Sequence, residues 1–402
     1  MNVPKLRFND FNDDYVINTF DNLINIIDGD RGNNYPKASD FYGDEYCLFL
    51  NAGNVTKKGF NFSNKYFITF KKDNELKNGK LKRNDVVLTT RGTVGNVALY
   101  DYSIPFENIR INSGMVINRI KNDKILLPQY LYRFMQSTYF EYQIKKTNFG
   151  SAQPQLTKSG ITKFTIAYPC VKEQSKVSIF LSLLDKKIEL QSQKIEALKL
   201  YKKGLLLNYF KGKKTNKIIK NIIKYGKAGG TPKSSVKEYY NGKIPFLSIS
   251  DMTKQGKYIY NTERNISEIG LKNSSAWLVP EDSIILSMYA SYGLVAINKI
   301  KLSTSQAMFN MILNDNVFVE YIYQYLNYLN ISNYYDKLIS TGTQSNLNAE
   351  KIYNIKIFIP EFNEQKLIAN LLNCIDILIE FNIKKKKNYH KLKKGLMQNM
   401  FV

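Results

Sequence analysis

Histidine, cysteine, glycine and proline decide early what chemistry this 402-residue chain can carry. There is one histidine, His390, so an imidazole triad or a multi-histidine metal site has no material. The three cysteines (Cys47, Cys170 and Cys374) lie far apart without a C-x-x-C, which excludes a zinc ribbon and a dithiol redox pair. No two of the 22 glycines are spaced as G-x-G, and G-x-x-x-x-G-K-[ST] is missing. A dinucleotide fingerprint, a methyltransferase glycine loop and a nucleotide-driven motor are therefore excluded. None of the ten prolines adjoin, so the Asp/Asn-Pro-Pro-aromatic motif of amino-methyltransferases is missing as well. The expectation is a chain with no catalytic residues, no metal site and no cofactor of its own.

Charge indicates what such a chain would bind. Lys+Arg outnumber Asp+Glu by 58 to 34, for a formal net charge of +24 and a pI near 9.5. AT-rich coding accounts for part of the Lys, Asn and Ile content, but that bias raises Glu along with Lys, and here the acids lag. A polyanionic partner is the better account, nucleic acid before a membrane surface. Scattered thiols and no signal-peptide pattern fit the cytoplasm. No stretch approaches the roughly 18 apolar residues of a membrane span. At 44% hydrophobic, the chain has material for two domains with cores.

Whatever binds must be positioned, and the elements that do so are duplicated. Residues 153–210 match 344–401 without a gap, at the constant offset of 191 that separates Gln153 from Gln344. Identical pairs include Leu156/Leu347, Ile166/Ile357, Pro169/Pro360, Glu173/Glu364, Gln174/Gln365, Asp185/Asp376, Lys202/Lys393 and Phe210/Phe401. In each copy a short period-two strand ends at the proline, and Glu-Gln then opens a helix of about 38 residues. Its apolar positions step by four and three. The first seam runs through Leu181, Leu184, Ile188, Gln191, Ile195 and Leu198, the second through Leu372, Ile375, Ile379 and Asn382. A sustained 3.5-residue repeat is a coiled-coil seam. Each helix should be roughly 55–60 Å long. Gln191 and Asn382 sit mid-helix, and antiparallel packing brings both to the crossing; solvent-facing amides are the alternative.

Two looser copies lie outside the helices. Val86-Val87-Leu88 and Ser283-Ile284-Ile285 read as matching strands, with Gly95-Asn96-Val97-Ala98 and Gly293-Leu294-Val295-Ala296 downstream. Between them the copies diverge: Thr89-Thr90-Arg91-Gly92-Thr93-Val94 against Leu286-Ser287-Met288-Tyr289-Ala290-Ser291-Tyr292. A repeated frame carrying divergent loops is the layout of a two-site reader.

The order of these features, with Val3-Pro4-Lys5-Leu6-Arg7-Phe8, Gly150-Ser151-Ala152-Gln153-Pro154-Gln155-Leu156 and Gly229-Gly230-Thr231-Pro232, resembles the specificity subunit of type I restriction–modification systems over essentially the whole chain. The first copy has Gly29-Asp30-Arg31-Gly32 before Pro36 in place of Gly-Gly-Thr-Pro. The resemblance implies an α+β fold with a pseudo-twofold internal repeat. Two α/β target recognition domains (1–152 and 213–343) are separated by two long helices, in 153–212 and 344–402, that form an antiparallel coiled coil. It also implies double-stranded DNA as ligand, each domain reading half of a split sequence. The implied partners are two modification subunits, which methylate adenine with S-adenosylmethionine, and restriction subunits that use ATP and Mg.

Candidate DNA-binding residues follow from position and side-chain type. Arg91, with Gly92 and Thr93, sits where a strand gives way to a loop and suits guanine O6/N7, with a phosphate contact or salt bridge as alternatives. Ser287, Tyr289, Ser291 and Tyr292 occupy the matching loop and face bases or phosphates. Asn112 and Gln306 have the amides that read adenine, against plain structural hydrogen bonding. Lys37 and Lys233 follow the prolines and suit phosphates. Lys384-Lys385-Lys386-Lys387 reads first as a solvated face, and His390 as a helix residue. The rival functions are a self-sufficient DNA methyltransferase or nuclease, and a coiled-coil scaffold or other nucleic-acid-binding protein.

Overall fold

The computed structural model describes residues 3–147, 155–289, 291–340 and 347–402. The expected domain limits at 152/153 and 343/344, the repeat's first pair Gln153/Gln344, the motif residues Gly150 to Pro154, and Ala290 lie outside the described residues. The chain divides into two units, Met1–Gln191 with Lys385–Val402, and Ser192–Lys384. This division cuts through both long helices.

In the first unit, Ile24–Asp28 (β1), Asp85–Thr89 (β2), Val97–Tyr100 (β3) and Met115–Ile120 (β4) form an antiparallel sheet in the order β1-β4-β2-β3. Strand β2 is buried throughout because both faces of the sheet are covered. Val86, Leu88 and Val116 point to a core shared with the helices, while Val87, Ala98 and Ile117 point to a second core, the period-two alternation of a strand. A three-stranded sheet has Cys47–Leu50 at its centre, antiparallel to Phe67–Ile68 and parallel to Ile109–Ile111. Helix α1 (Pro128–Phe134), with proline at its first turn, and α2 (Thr138–Thr147) cover the first core. The long helix α3 spans Val171–Phe210.

The second unit repeats this plan. Ile223–Ala228 (β5), Tyr258–Ile259 (β6), Ile284–Ser287 (β7), Val295–Asn298 (β8) and Met308–Leu313 (β9) form a sheet in the order β5-β9-β7-β8-β6. Ile284 and Leu286 serve one core, Ile285 and Ala296 the other. The small sheet again has a central strand, Tyr240–Leu247, antiparallel to Arg264–Ile266 and parallel to Ser303–Thr304. Helix α4 (Val319–Ile331) matches α1, α5 (Tyr334–Ser340) matches α2, and the long α6 (Phe362–Asn399) matches α3.

Within each unit α3 and α6 run antiparallel. In the first, Asp185 pairs with Lys393 at 2.6 Å while Lys187 stacks on Tyr389. In the second, Lys202 pairs with Asp376 at 2.5 Å and Tyr209 donates to Glu364 at 2.8 Å. Partners on α6 descend as those on α3 ascend. Leu181, Leu184, Ile188, Gln191, Ile195, Leu372, Ile375 and Asn382 are buried as the seam requires. Leu198 and Ile379 are only half-buried, and the next buried position on α3 after Ile195 is Leu206. That eleven-residue step from Ile195 to Leu206 follows from the 3.6-residue turn of a straight helix drifting past a strict heptad. No helix among the described residues is long and apolar enough to cross a membrane.

Candidate nucleic-acid interface

Each domain presents one turn built by the same bonds. In the first, Thr89 ends β2 and its hydroxyl donates to the Thr93 carbonyl while accepting from the Asn96 amide at 2.9 Å. In the second, Ser287 ends β7, donates to the Ser291 carbonyl at 2.5 Å and accepts from the Leu294 amide at 2.9 Å. Gly95 and Gly293 close the two turns at φ of 93° and 81°, the left-handed region that favours glycine. Their amides bond back to the Thr89 and Ser287 carbonyls at 3.0 and 3.1 Å. A hydroxyl residue at the strand end is thus a structural part of the turn. Ser287 is fully buried in that role, and the residues after it carry the exposed chemistry.

The exposed side chains differ between the copies. Arg91, Gly92 and Thr93 are solvent-facing. Both the Thr90 and Arg91 amides donate to the Gly114 carbonyl, at 2.8 and 3.2 Å, and the Leu156 amide donates to Thr90 at 3.0 Å. With the Gln155 amide oxygen turned towards it, Arg91 donates from Nη2 and Nε at 2.8 and 3.1 Å. Tyr289 and Ser291 are exposed in the second turn, while the Tyr292 hydroxyl is held by Asp336 at 2.6 Å. Proximity to that carboxylate raises the phenol's pKa, so Tyr292 remains a neutral donor.

Of the flanking candidates, Asn112 and Gln306 lie just before the β4 and β9 strands that pair with Thr89 and Ser287. Asn112 accepts the Gly114 amide at 2.9 Å and shapes the β4 entry. Gly29 lies against its carbonyl, where an added Cβ would come within 2.2 Å. Gly229 is crowded in the same way by Thr304, at 2.2 Å from the hydroxyl and 2.3 Å from the carbonyl. The first glycine of the Gly229-Gly230 motif therefore has its counterpart in Gly29, for a steric reason. Asp30 follows it, and amides including Gly32 and Lys77 hold its carboxyl below the usual range. Gln306 is exposed and accepts from the Thr231 hydroxyl, joining the motif loop to the β9 entry. Lys37 and Lys233 are exposed and form no ion pair among the described residues.

The sequence reading took Glu-Gln as a helix opening alone; the structure makes it the joint between helix and domain. Gln174 accepts the Leu127 amide at 2.8 Å and donates to Ile125 and Pro169 carbonyls, both at 2.8 Å. Gln365 repeats this with Phe318 at 2.9 Å, Asn316 at 3.3 Å and Pro360 at 2.9 Å. Tyr130 and Tyr321 donate to Ala167 and Phe358, at 3.1 and 2.9 Å. Arg133 reaches Asp185 at 2.5 Å where Gln324 reaches Asp376 at 2.8 Å. Glu173 is buried between Arg7, at 2.8 and 2.9 Å, and Tyr15, at 2.9 Å. Tyr130 and Tyr321 keep the 191 offset beyond the gapless match, and that extension was the available signal.

Chemistry at metal or thiol centres has little to work with. No group of three or more His, Cys, Asp or Glu able to hold a metal occurs among the described residues. Cys47 is buried, its thiol pushed up to about 12 chiefly by desolvation, while Cys170 and Cys374 are exposed. His390 is exposed on α6.

Comparison with known proteins accords with this construction. Residues 12–200 and 212–389 match the family described as Type I restriction modification DNA specificity domain. The type I restriction enzyme MjaIX specificity subunit of Methanocaldococcus jannaschii is 33% identical over 188 residues, a match spanning 46% of this chain and 43% of that protein. The HindI specificity subunit of Haemophilus influenzae is 22% identical over an alignment of 414 residues, covering 83% of this chain and 88% of that one. Among solved structures, the S subunit from M. genitalium superposes with a TM-score of 0.59 at 17% identity, covering 100% and 99% of the two chains. A chain from a type I R-M system, in a study of its assembly and conformational transition, gives 0.63 at 14% identity, covering 96% of each. Two matched domains, each with the same turn and the same helix joint, place this chain in the type I restriction–modification DNA specificity family.

Proposed function

We propose that the chain is the DNA-recognition subunit of a type I restriction–modification complex, each domain reading one half of a bipartite duplex target. One observation carries this reading. The two turns share the hydroxyl and glycine-amide bonds that close them, yet present Arg91 and Thr93 in one domain and Tyr289 and Ser291 in the other. A conserved scaffold with exchanged rim side chains changes the base contacts without changing the fold. The +24 net charge supplies the phosphate attraction.

In this reading chemistry belongs to the partners, in the cytoplasm. Two modification subunits bring S-adenosylmethionine and methylate adenine, and restriction subunits bring ATP and Mg. The helices offer such partners apolar footholds. Phe180 and Leu190 on α3, and their repeat equivalents Leu371 and Phe381 on α6, are exposed. The test is coexpression with a modification subunit, followed by genome-wide mapping of methylated adenine with and without the chain. A split methylated sequence that depends on the chain is expected. Methyl transfer by the isolated chain, or a methylation pattern indifferent to it, would reject the proposal.

A further inference from the structure

An open cleft of about 1180 Å³ in the first unit lies beneath the Gly92–Val97 turn, with Lys57, Lys145 and Lys393 among its lining residues. These lysines come from three elements: the turn of the Val55–Thr56/Gly59–Phe60 hairpin, α2 and α6. The hairpin is tied to the reading turn, because the Asn96 side chain donates to the Val55 carbonyl at 2.9 Å. Lys58 adjoins Lys57, and Lys394 adjoins Lys393.

Counting charges shows an unbalanced field. Glu141 is matched by Lys145 at 2.9 Å, and Asp185 is shared by Arg133 and Lys393. Lys57, Lys58, Lys386 and Lys394 have no ion pair among the described residues. Two neighbouring groups register their charge. The Glu141 carboxyl is lowered first by its bond to Lys145, with Lys57 and Lys394 adding to the effect. His390 is lowered first by burial and then by Lys386, Lys393 and Lys58, against which Asp185 acts alone.

The second domain is built differently beside its turn. Asp336 stands at the repeat position of Lys145 and binds Tyr292. On the helix Ile249–Gln255 of that domain Lys254 pairs with Glu263, and just beyond it Lys257 is buried with its amine on Asn373. Lys203, at the repeat position of Lys394, is exposed and forms no ion pair among the described residues, so the domains differ at the turn-side lysines and not at this helix-borne one.

We propose that Lys57, Lys58, Lys386 and Lys394 form a sequence-blind clamp for the phosphodiester backbone of duplex DNA beside the turn that carries Arg91. The inference rests on the DNA-reading function proposed above. DNA is favoured over an acidic protein because the hairpin bearing two of these lysines is hydrogen-bonded to the reading turn itself.

The test compares the full-length chain with a Lys57→Gln/Lys58→Gln/Lys394→Gln variant, all three residues being exposed. The control is Lys224→Gln/Lys254→Gln/Lys299→Gln, which removes the same charge from lysines already paired with Asp315, Glu263 and Asp282. Binding to an arbitrary 30-base-pair duplex is measured across a salt series, and urea unfolding verifies that both variants fold. Each lost phosphate contact lowers the slope of log K against log salt by about 0.9. A drop of about two to three is expected for the clamp variant, and less than about one for the control. Equal slopes for wild type and clamp variant would overturn the clamp, as would lost affinity for a modification subunit with unchanged DNA binding. Failure of the wild-type chain to bind the duplex at all would instead overturn the DNA-reading function.

Discussion

Arg91 has more donors than its intramolecular bonds consume. Gln155 takes Nε and one N–H of Nη2, along one edge of the guanidinium. The end of the fork, Nη1 with the remaining Nη2 hydrogen, is still free to meet guanine O6 and N7 as a pair. Gln155 therefore fixes the plane of the guanidinium, and would act as a brace for any base contact that Arg91 makes. Arg91→Ala is expected to relax one base position of the first half-site by about 1–3 kcal/mol. Gln155→Leu should keep the preference for that base but weaken it, and the double variant should match Arg91→Ala, since the brace acts only through the arginine. Binding to duplexes varied at each position of the methylation-mapped half-site measures this. A loss spread evenly over all sequences would make Arg91 a phosphate contact. Arg91 was visible in the sequence as an arginine at a strand end. Its brace was not, because residues 91 and 155 meet only through the strand pairing that brings Gly114 and Leu156 to Thr90.

The helix joints depend on side chains that must remain fully bonded. Gln174→Leu would strip three hydrogen bonds and leave the Leu127 amide and two carbonyls without partners in a packed joint. A cost of about 3 kcal/mol is expected, read from urea unfolding of the complete chain, with Gln365→Leu of similar size. The second joint also carries a pH signature. Burial lowers Lys257 to about 8, against the opposing pull of Asp376 and Glu320. Its unfolded value is near 10.4, so between about pH 8 and pH 10 the unfolded chain holds more protons and stability rises with pH. Lys257→Met removes that dependence. The variant's stability relative to wild type should be highest at pH 7 to 8 and decline towards pH 10, as urea midpoints at three pH values would show. A constant difference would mean that Lys257 is not held in this lowered state. Long helices, their antiparallel seam and the strand-ending prolines were legible because a 3.5-residue repeat and a period-two alternation are local patterns. The joints were not, because Gln174 and Gln365 look like ordinary first-turn helix residues until Leu127 and Phe318 are packed beside them. The eleven-residue step from Ile195 to Leu206 was not legible either, because it follows from the true 3.6-residue turn and not from the heptad written in the sequence.

At the scale of the whole chain, both long helices cross from one unit to the other, and α3 is the covalent link between the domains. Helix α3 begins in the unit of the first domain and ends in that of the second, and α6 returns in the opposite sense. Both helices are continuous through Gln191 and Asn382, which are buried, and Asn382 donates to the Leu378 carbonyl at 2.6 Å. If these helices set the separation of the half-sites, four residues inserted near both Gln191 and Asn382 should lengthen the spacer. Four residues add about 6 Å of helix, against about 3.4 Å per base pair, so the gain is at most about two base pairs. Four residues also exceed one 3.6-residue turn only slightly, so the seam keeps facing its partner. The seam already absorbs an eleven-residue step between Ile195 and Leu206, so its packing tolerates a local departure from the heptad. Three inserted residues fall short of a turn, overwind the seam and should be tolerated less well. The half-sites themselves should be unchanged, because the Thr89 and Ser287 turns and both glutamine joints remain intact. Mapped methylation of the insertion variant, coexpressed with its modification subunit, reads all of this at once. Full activity on an unaltered spacer would show that the distance is set elsewhere, by the modification subunits or by bending of the duplex.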